Sequence, residues 1–178
     1  MSTMKKIFLS ILTLFMAISV FAQSEDKDTY TKIGDETPKF SFEIEKGKTV
    51  NIADYKGRLI LINLFATWCP PCNIELPLVQ KEIWDKHKDD KNFAFFVFGR
   101  EEGWDKLIPY KAKKGFTFPI LPDLKREVFS KFAKQSIPRN ILIDETGKII
   151  YQSIGYEEKE FQSLVKLINE KLKDKATK

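Results

Sequence analysis

Cys69 and Cys72 are the only thiols in the 178-residue chain, and they stand in the stretch Trp68-Cys69-Pro70-Pro71-Cys72. A nearly all-apolar run, Leu59 to Phe65, leads into them, and a segment with helical spacing leaves them. That context puts two thiols at the start of a helix emerging from a buried strand. Free N–H groups and the helix dipole favour negative charge there. Pro70 and Pro71 fit because first-turn N–H groups have no intrahelical bond to lose. Thiolate is the nucleophilic form of cysteine, so Cys69 is the candidate nucleophile, attacking a disulfide to form a mixed disulfide. Cys72, one turn deeper on the same face, is the candidate resolving thiol that attacks Cys69 and closes the pair. The implied chemistry is disulfide exchange, with no cofactor beyond the redox-active Cys69–Cys72 pair.

Other uses of two cysteines fit less well. A purely structural disulfide across so short a loop removes little chain entropy. Zinc wants four ligands, and two Cys with the lone His87 do not supply them, so no metal site is expected. A thiol peroxidase using Cys69 alone, through a sulfenic acid, is one alternative. A non-catalytic module that holds extended peptides is another.

The elements that must position the pair can be read along the chain. Phe40 to Ile44 and Val50 to Ile52 alternate apolar and polar around Lys46-Gly47-Lys48, predicting a β-hairpin. Leu59 to Phe65 predicts a strand covered on both faces, and Phe93 to Phe98 a second. Cys72 to Lys88 carries Leu76, Val79, Ile83 and Trp84 at helical spacing, with a kink expected at Pro77. Glu102 to Lys114 predicts a helix stopped at Gly115, and Leu124 to Phe132 a short one. Ile141 to Ile143 and Ile149 to Tyr151 predict strands joined by a tight turn. Glu157 to Lys173 predicts a closing amphipathic helix. This order gives an α/β fold, a central mixed sheet flanked by helices, parallel in its first half and antiparallel in its second. Trp84 and the Phe93–Phe98 cluster are expected in the core.

The N-terminus reads as a targeting segment. Lys5 and Lys6 precede an uncharged apolar run from Ile7 to Phe21, and Val20-Phe21-Ala22 offers small-residue cleavage before Gln23. This is the build of a secretory signal over 1–22, and the run is shorter than the roughly 20 residues of a membrane span. Residues 23–33 are expected as a flexible leader, 34–174 as one domain, and 175–178 as a tail. Removing residues 1–22 takes away two lysines and no acid, lowering the net charge from +5 to +3. With no basic nucleic-acid motif, nucleic-acid binding is not expected. Export favours oxidised cysteine pairs.

The stretch from Leu61 through Cys72, followed by Glu75-Leu76-Pro77, resembles the active-site region of the TlpA/ResA branch of the thioredoxin superfamily. The likeness runs from about Gly34 to the C-terminus. It implies a thioredoxin-like fold with an additional N-terminal β-hairpin and a periplasmic or otherwise extracytoplasmic location. It also implies protein disulfides as substrates, with cytochrome c maturation among the family's tasks, and a membrane thiol donor. Contact with the membrane is expected only through that donor or an uncleaved signal, and the chain is taken as a monomer.

The resemblance also assigns residues. Pro138 takes the place of a cis-proline beside the Cys pair, and Ile137 that of the residue whose backbone meets substrate. Arg139 follows, where many relatives carry a small polar residue, and its side chain either contacts acidic substrates or points to solvent. Trp68, Pro70 and Pro71 border the thiols and are candidate substrate contacts, with a place in the core the alternative for Trp68. Glu75 is the candidate proton acceptor for Cys72. General thioredoxins carry a buried Asp where this chain has Asn63, which cannot take the proton. His87 is expected on the surface.

Overall fold

The computed structural model describes residues 27–176. The predicted signal segment lies outside them. The hairpin is β1 (Ser41–Glu45) and β2 (Lys48–Asn51), turning at Gly47 with φ 80°. The main sheet holds β3 (Leu59–Phe65), β4 (Phe93–Arg100), β5 (Ile120–Asp123), β6 (Arg139–Ile143) and β7 (Ile149–Ile154) in the order β5-β4-β3-β6-β7. β3, β4 and β5 run parallel, while β6 and β7 pair antiparallel. The helices are α1 (Pro70–Val79), α2 (Asp85–His87), α3 (Trp104–Lys114), α4 (Phe129–Phe132) and α5 (Glu158–Ala176). This is the predicted mixed sheet with its hairpin, in a thioredoxin-like arrangement.

β3 is apolar nearly throughout because both its faces are covered. Leu59, Leu61 and Phe65 join the cluster formed with α1 and α5, while Ile60, Ile62 and Leu64 join the cluster on the opposite face. The hairpin covers that second face. Phe42 sets its ring 5.0 Å from Phe96 and 5.2 Å from Phe98, both edge-on. Strand alternation puts Asn63 on the α1 face, and α1 answers with a buried stripe of Cys72, Glu75, Leu76 and Val79. That spacing is the core-facing stripe of an amphipathic helix, with a carboxyl group in it.

Several elements differ from expectation. The single helix predicted over Cys72–Lys88 is broken by a π-helical turn, Gln80–Trp84, between α1 and α2. Pro77 removes one rung of the hydrogen-bond ladder just upstream. β5 was not anticipated: it is four residues long and contains Pro122, which a strand at the sheet edge tolerates. The helix predicted over Leu124–Phe132 shrinks to α4, because Arg126 has φ 60° and the Asp123 carboxylate accepts N–H bonds from Val128 (2.9 Å) and Phe129 (2.8 Å). Burial raises the proton affinity of Asp123.

The described part of the expected flexible leader lies against the domain. Tyr30 N–H donates to Phe132 O at 2.8 Å and Lys134 N–H to Asp28 O at 2.8 Å. Thr31 Oγ1 donates to Gln152 Oε1 at 2.8 Å. A polar sequence reads as solvated, yet here its backbone and hydroxyls find partners on α4 and β7. Among the described residues no helix is long and apolar enough to cross a membrane.

Candidate active site

Cys69 is the N-cap of α1, and Pro70 and Pro71 occupy its first turn. Neither proline has an N–H, so the first backbone donor the helix offers is that of Cys72, which reaches Cys69 Sγ at 3.3 Å. A thiolate at Cys69 would accept the same bond and sit at the positive end of the helix dipole. Cys69 and Cys72 are joined as a disulfide, with Cα atoms 5.3 Å apart. Both are buried, at 2% and 0% exposure. Trp68, next to Cys69 in the chain, is left in solvent at 63% exposure. Trp68 is thus no core aromatic, and Pro70 is exposed and Pro71 half-buried beside it.

The Ile137–Pro138 peptide bond is cis. Ile137 O lies 3.9 Å from Cys69 Sγ, so the loop before β6 stands against the pair. Gly155 N–H donates to Pro138 O at 2.8 Å and ties that loop to the end of β7.

Arg139 corrects an expectation. Its side chain is buried at 3% exposure and turns away from the thiols. The guanidinium donates to the carbonyls of Gln135 (3.0 Å) and Ser136 (2.9 Å) and to Thr29 Oγ1 (2.7 Å). The cause is strand alternation: Ile141 and Ile143 face the hairpin-side core, and Arg139 shares their parity. Arg139 fastens the N-terminal segment and the cis-proline loop and is not placed to meet an acidic substrate.

The residue of opposite parity, Asn140, faces α1. Its Nδ2 donates to Glu75 Oε1. Asn63 Nδ2 donates to Asn140 Oδ1 at 2.8 Å and, more weakly, to Glu75 Oε2 at 3.4 Å. Glu75 itself is 1% exposed. Burial pushes its carboxyl up to about 7, against the two amide hydrogen bonds that pull it down. A carboxyl that exchanges its proton near neutrality, one turn beyond Cys72 on the same buried face, has the proton affinity a thiol's acceptor needs.

A second polar group braces the loop between β3 and α1. Glu102, 1% exposed, accepts from Thr67 N–H at 2.9 Å and from Thr67 Oγ1 at 2.5 Å. Asn73 Nδ2 donates to the carbonyls of Thr67 and Cys69, both at 2.9 Å, and Asn73 Oδ1 accepts from Tyr110 at 3.0 Å. Burial beside the Glu102 carboxylate pushes the Tyr110 hydroxyl up to about 12. These bonds fix the backbone on both sides of Trp68. Glu102 read only as the start of a helix; nothing in the sequence marked Asn73, Tyr110 or Asn140.

Among the described residues no group of three or more His, Cys, Asp or Glu side chains is placed to hold a metal ion. His87 is spent on a bond to Asn169 Oδ1 at 2.7 Å. A cleft of about 470 Å³ lies elsewhere, lined among others by Trp84, Trp104 and Lys111.

Comparison with known proteins agrees with this geometry. The redoxin family profile matches residues 32–168. The thiol-disulfide oxidoreductase ResA of Bacillus thuringiensis is 30% identical over 129 residues, 72% of this chain and 73% of the relative. The solution structure of a candidate protein disulfide isomerase from Bacteroides thetaiotaomicron superposes with a TM-score of 0.78 at 36% identity, covering 82% of this chain and 93% of that one. The crystal structure of a thioredoxin-family thiol:disulfide interchange protein from Chlorobium tepidum gives a TM-score of 0.61 at 25% identity, over 80% and 99%.

Proposed function

Because this chain belongs to the redoxin family and is a thiol-disulfide oxidoreductase, we propose that it is an exported reductant of protein disulfides, with Cys69 as nucleophile, Cys72 as resolving thiol and Glu75 as proton acceptor. The observation that carries the reading is the buried Glu75 on the Cys72 face of α1, its proton affinity near neutrality.

The steps balance as follows. The Cys69 thiolate attacks one sulfur of a substrate disulfide, forming a mixed disulfide and expelling the other sulfur as thiolate. Cys72 gives its proton to Glu75 and attacks Cys69 Sγ. The mixed disulfide breaks, the second substrate sulfur leaves, and Cys69–Cys72 closes. Two electrons pass from the protein to the substrate, whose thiolates take up protons from solvent and, in the second step, from Glu75. Cis-Pro138 and Ile137 O border Cys69, so an extended substrate segment would pair its backbone at Ile137 and rest on Trp68, Pro70 and Pro71.

The chain then needs a dithiol donor to reopen its disulfide. A membrane thiol reductant fits a protein whose first 22 residues read as a secretory signal. A monomer suffices, since all the named groups come from one chain. Cysteine pairs of apocytochrome c are the specific substrate we favour.

The test is electron transfer to a defined acceptor. Reduced protein is mixed with a peptide carrying an oxidised Cys-X-X-Cys-His motif, and thiols on both are counted by alkylation and mass spectrometry. One peptide disulfide is expected to open for each Cys69–Cys72 disulfide formed. Oxidation of the reduced peptide by the disulfide form, with no transfer the other way, would contradict the proposed direction.

A further inference from the structure

Asn140 sits where β6 leaves the cis-proline loop, on the face of the sheet that meets α1. An amide has one donating and one accepting end, and here the two ends are sorted. Asn63 Nδ2 engages Asn140 Oδ1 at 2.8 Å, which leaves Asn140 Nδ2 facing Glu75 Oε1. Asn63, Glu75 and Asn140 are all buried, at 0%, 1% and 2% exposure. Asn63 Oδ1 is a buried side-chain acceptor without a hydrogen-bond partner. It belongs to the same planar amide that reaches Glu75 Oε2 at 3.4 Å.

We propose that Asn140, oriented by Asn63, is a positioning residue that holds Glu75 ionised and aimed to take the Cys72 proton. The inference rests on the reading of Glu75 as proton acceptor and adds what sets its proton affinity. The amides do not themselves titrate. The titratable groups around Glu75 are Cys72, on the same buried stripe of its helix, and Tyr151 on β7 and Tyr156 just beyond it, which feel its charge. Both tyrosines hold their protons more tightly than usual, Tyr151 chiefly through burial and Tyr156 chiefly through its hydrogen bond to Glu158, with the Glu75 charge a smaller contribution, so neither titrates near neutrality. Ser153 Oγ lies 3.4 Å from Asn140 Nδ2 and is a second, longer partner.

The resolving step provides the test. The dithiol protein is treated with Ellman's reagent to put thionitrobenzoate on Cys69, and its release by Cys72 is timed against pH. In the wild type the rate is expected to rise through a midpoint near neutrality as Glu75 ionises. Asn140→Leu, of similar volume, and Asn140→Ala both remove the donor to the carboxylate. Each should move the midpoint upward by about one pH unit, a roughly fivefold loss of rate at pH 7 that recovers at higher pH. Asn63→Ala should move it less, because its own bond to the carboxylate is the longer one, at 3.4 Å. Glu75→Gln should abolish that midpoint. Circular dichroism of each oxidised variant checks that it folds. If Glu75→Gln abolishes the midpoint and both Asn140 variants keep the wild-type value, the inference is overturned and the reading of Glu75 stands. If Glu75→Gln leaves the midpoint in place, both fall.

Discussion

Cys72→Ser is expected to leave a protein that attacks disulfides and cannot let go. Cys69 keeps its N-cap position, so it still forms the mixed disulfide, but no thiol one turn deeper is left to displace the substrate. Incubated with an oxidised protein substrate, this variant should accumulate a covalent adduct on Cys69, seen on a non-reducing gel and dissolved by dithiothreitol. Cys69→Ser removes the nucleophile itself, so turnover should fall to background with no adduct. The pair of results separates exchange from simple peptide holding, which would survive Cys69→Ser. It also separates exchange from peroxidase chemistry, where Cys69 alone suffices and Cys72→Ser would retain peroxide reduction. Swapped phenotypes would mean that the roles of the two cysteines are reversed.

The second large effect is on stability, and it depends on pH. Glu75 is raised from an ordinary 4.5 to about 7 in the folded protein. A raised carboxyl binds its proton more tightly when folded, so its stabilising contribution is complete below about 4.5. That contribution is lost as the pH climbs through about 7, where a buried carboxylate must be kept charged. The displacement corresponds to roughly 3 kcal/mol, at about 1.4 kcal/mol per pH unit. Glu75→Gln has no charge to bury, and its amide can still accept from Asn140. Denaturant unfolding of the oxidised proteins should therefore give similar stabilities at pH 4 and a variant more stable than wild type at pH 8, by up to roughly 3 kcal/mol. Equal stabilities at both pH values would show that the carboxyl titrates as an ordinary one. On the proposed role of Glu75, the destabilising charge is the cost of a functional group in a core-facing position.

What could be read from the sequence divides along physical lines. The place of the thiols and the helix that carries them follow from spacing and from the rules of helix starts, and Cys69 is indeed the N-cap. The buried β3 was legible because a strand covered on both faces has nearly no polar residue. Asn63 breaks that pattern and marks the polar cluster. Glu75 was legible as a candidate, and its burial could have been read from the stripe it shares with Cys72, Leu76 and Val79. Arg139 misled because its position beside Pro138 was weighed ahead of strand parity, which assigns Asn140, not Arg139, to the side of the thiols. β5 was hidden by its length and its proline. The bond from Thr67 to Glu102 spans 35 positions, and the links of Asp28 and Tyr30 to α4 and the residues after it span about a hundred. Such contacts depend on the whole fold, and no local pattern encodes them.

The central claim, a dithiol that gives electrons to substrates, is tested most directly by the reduction potential of the Cys69–Cys72 pair, equilibrated in dithiothreitol or glutathione buffers and read by thiol alkylation. The account predicts a value near or below about −220 mV, in the range of thioredoxins and glutaredoxins. A value near about −120 mV, typical of a strong oxidant, would contradict it and make the protein a donor of disulfides.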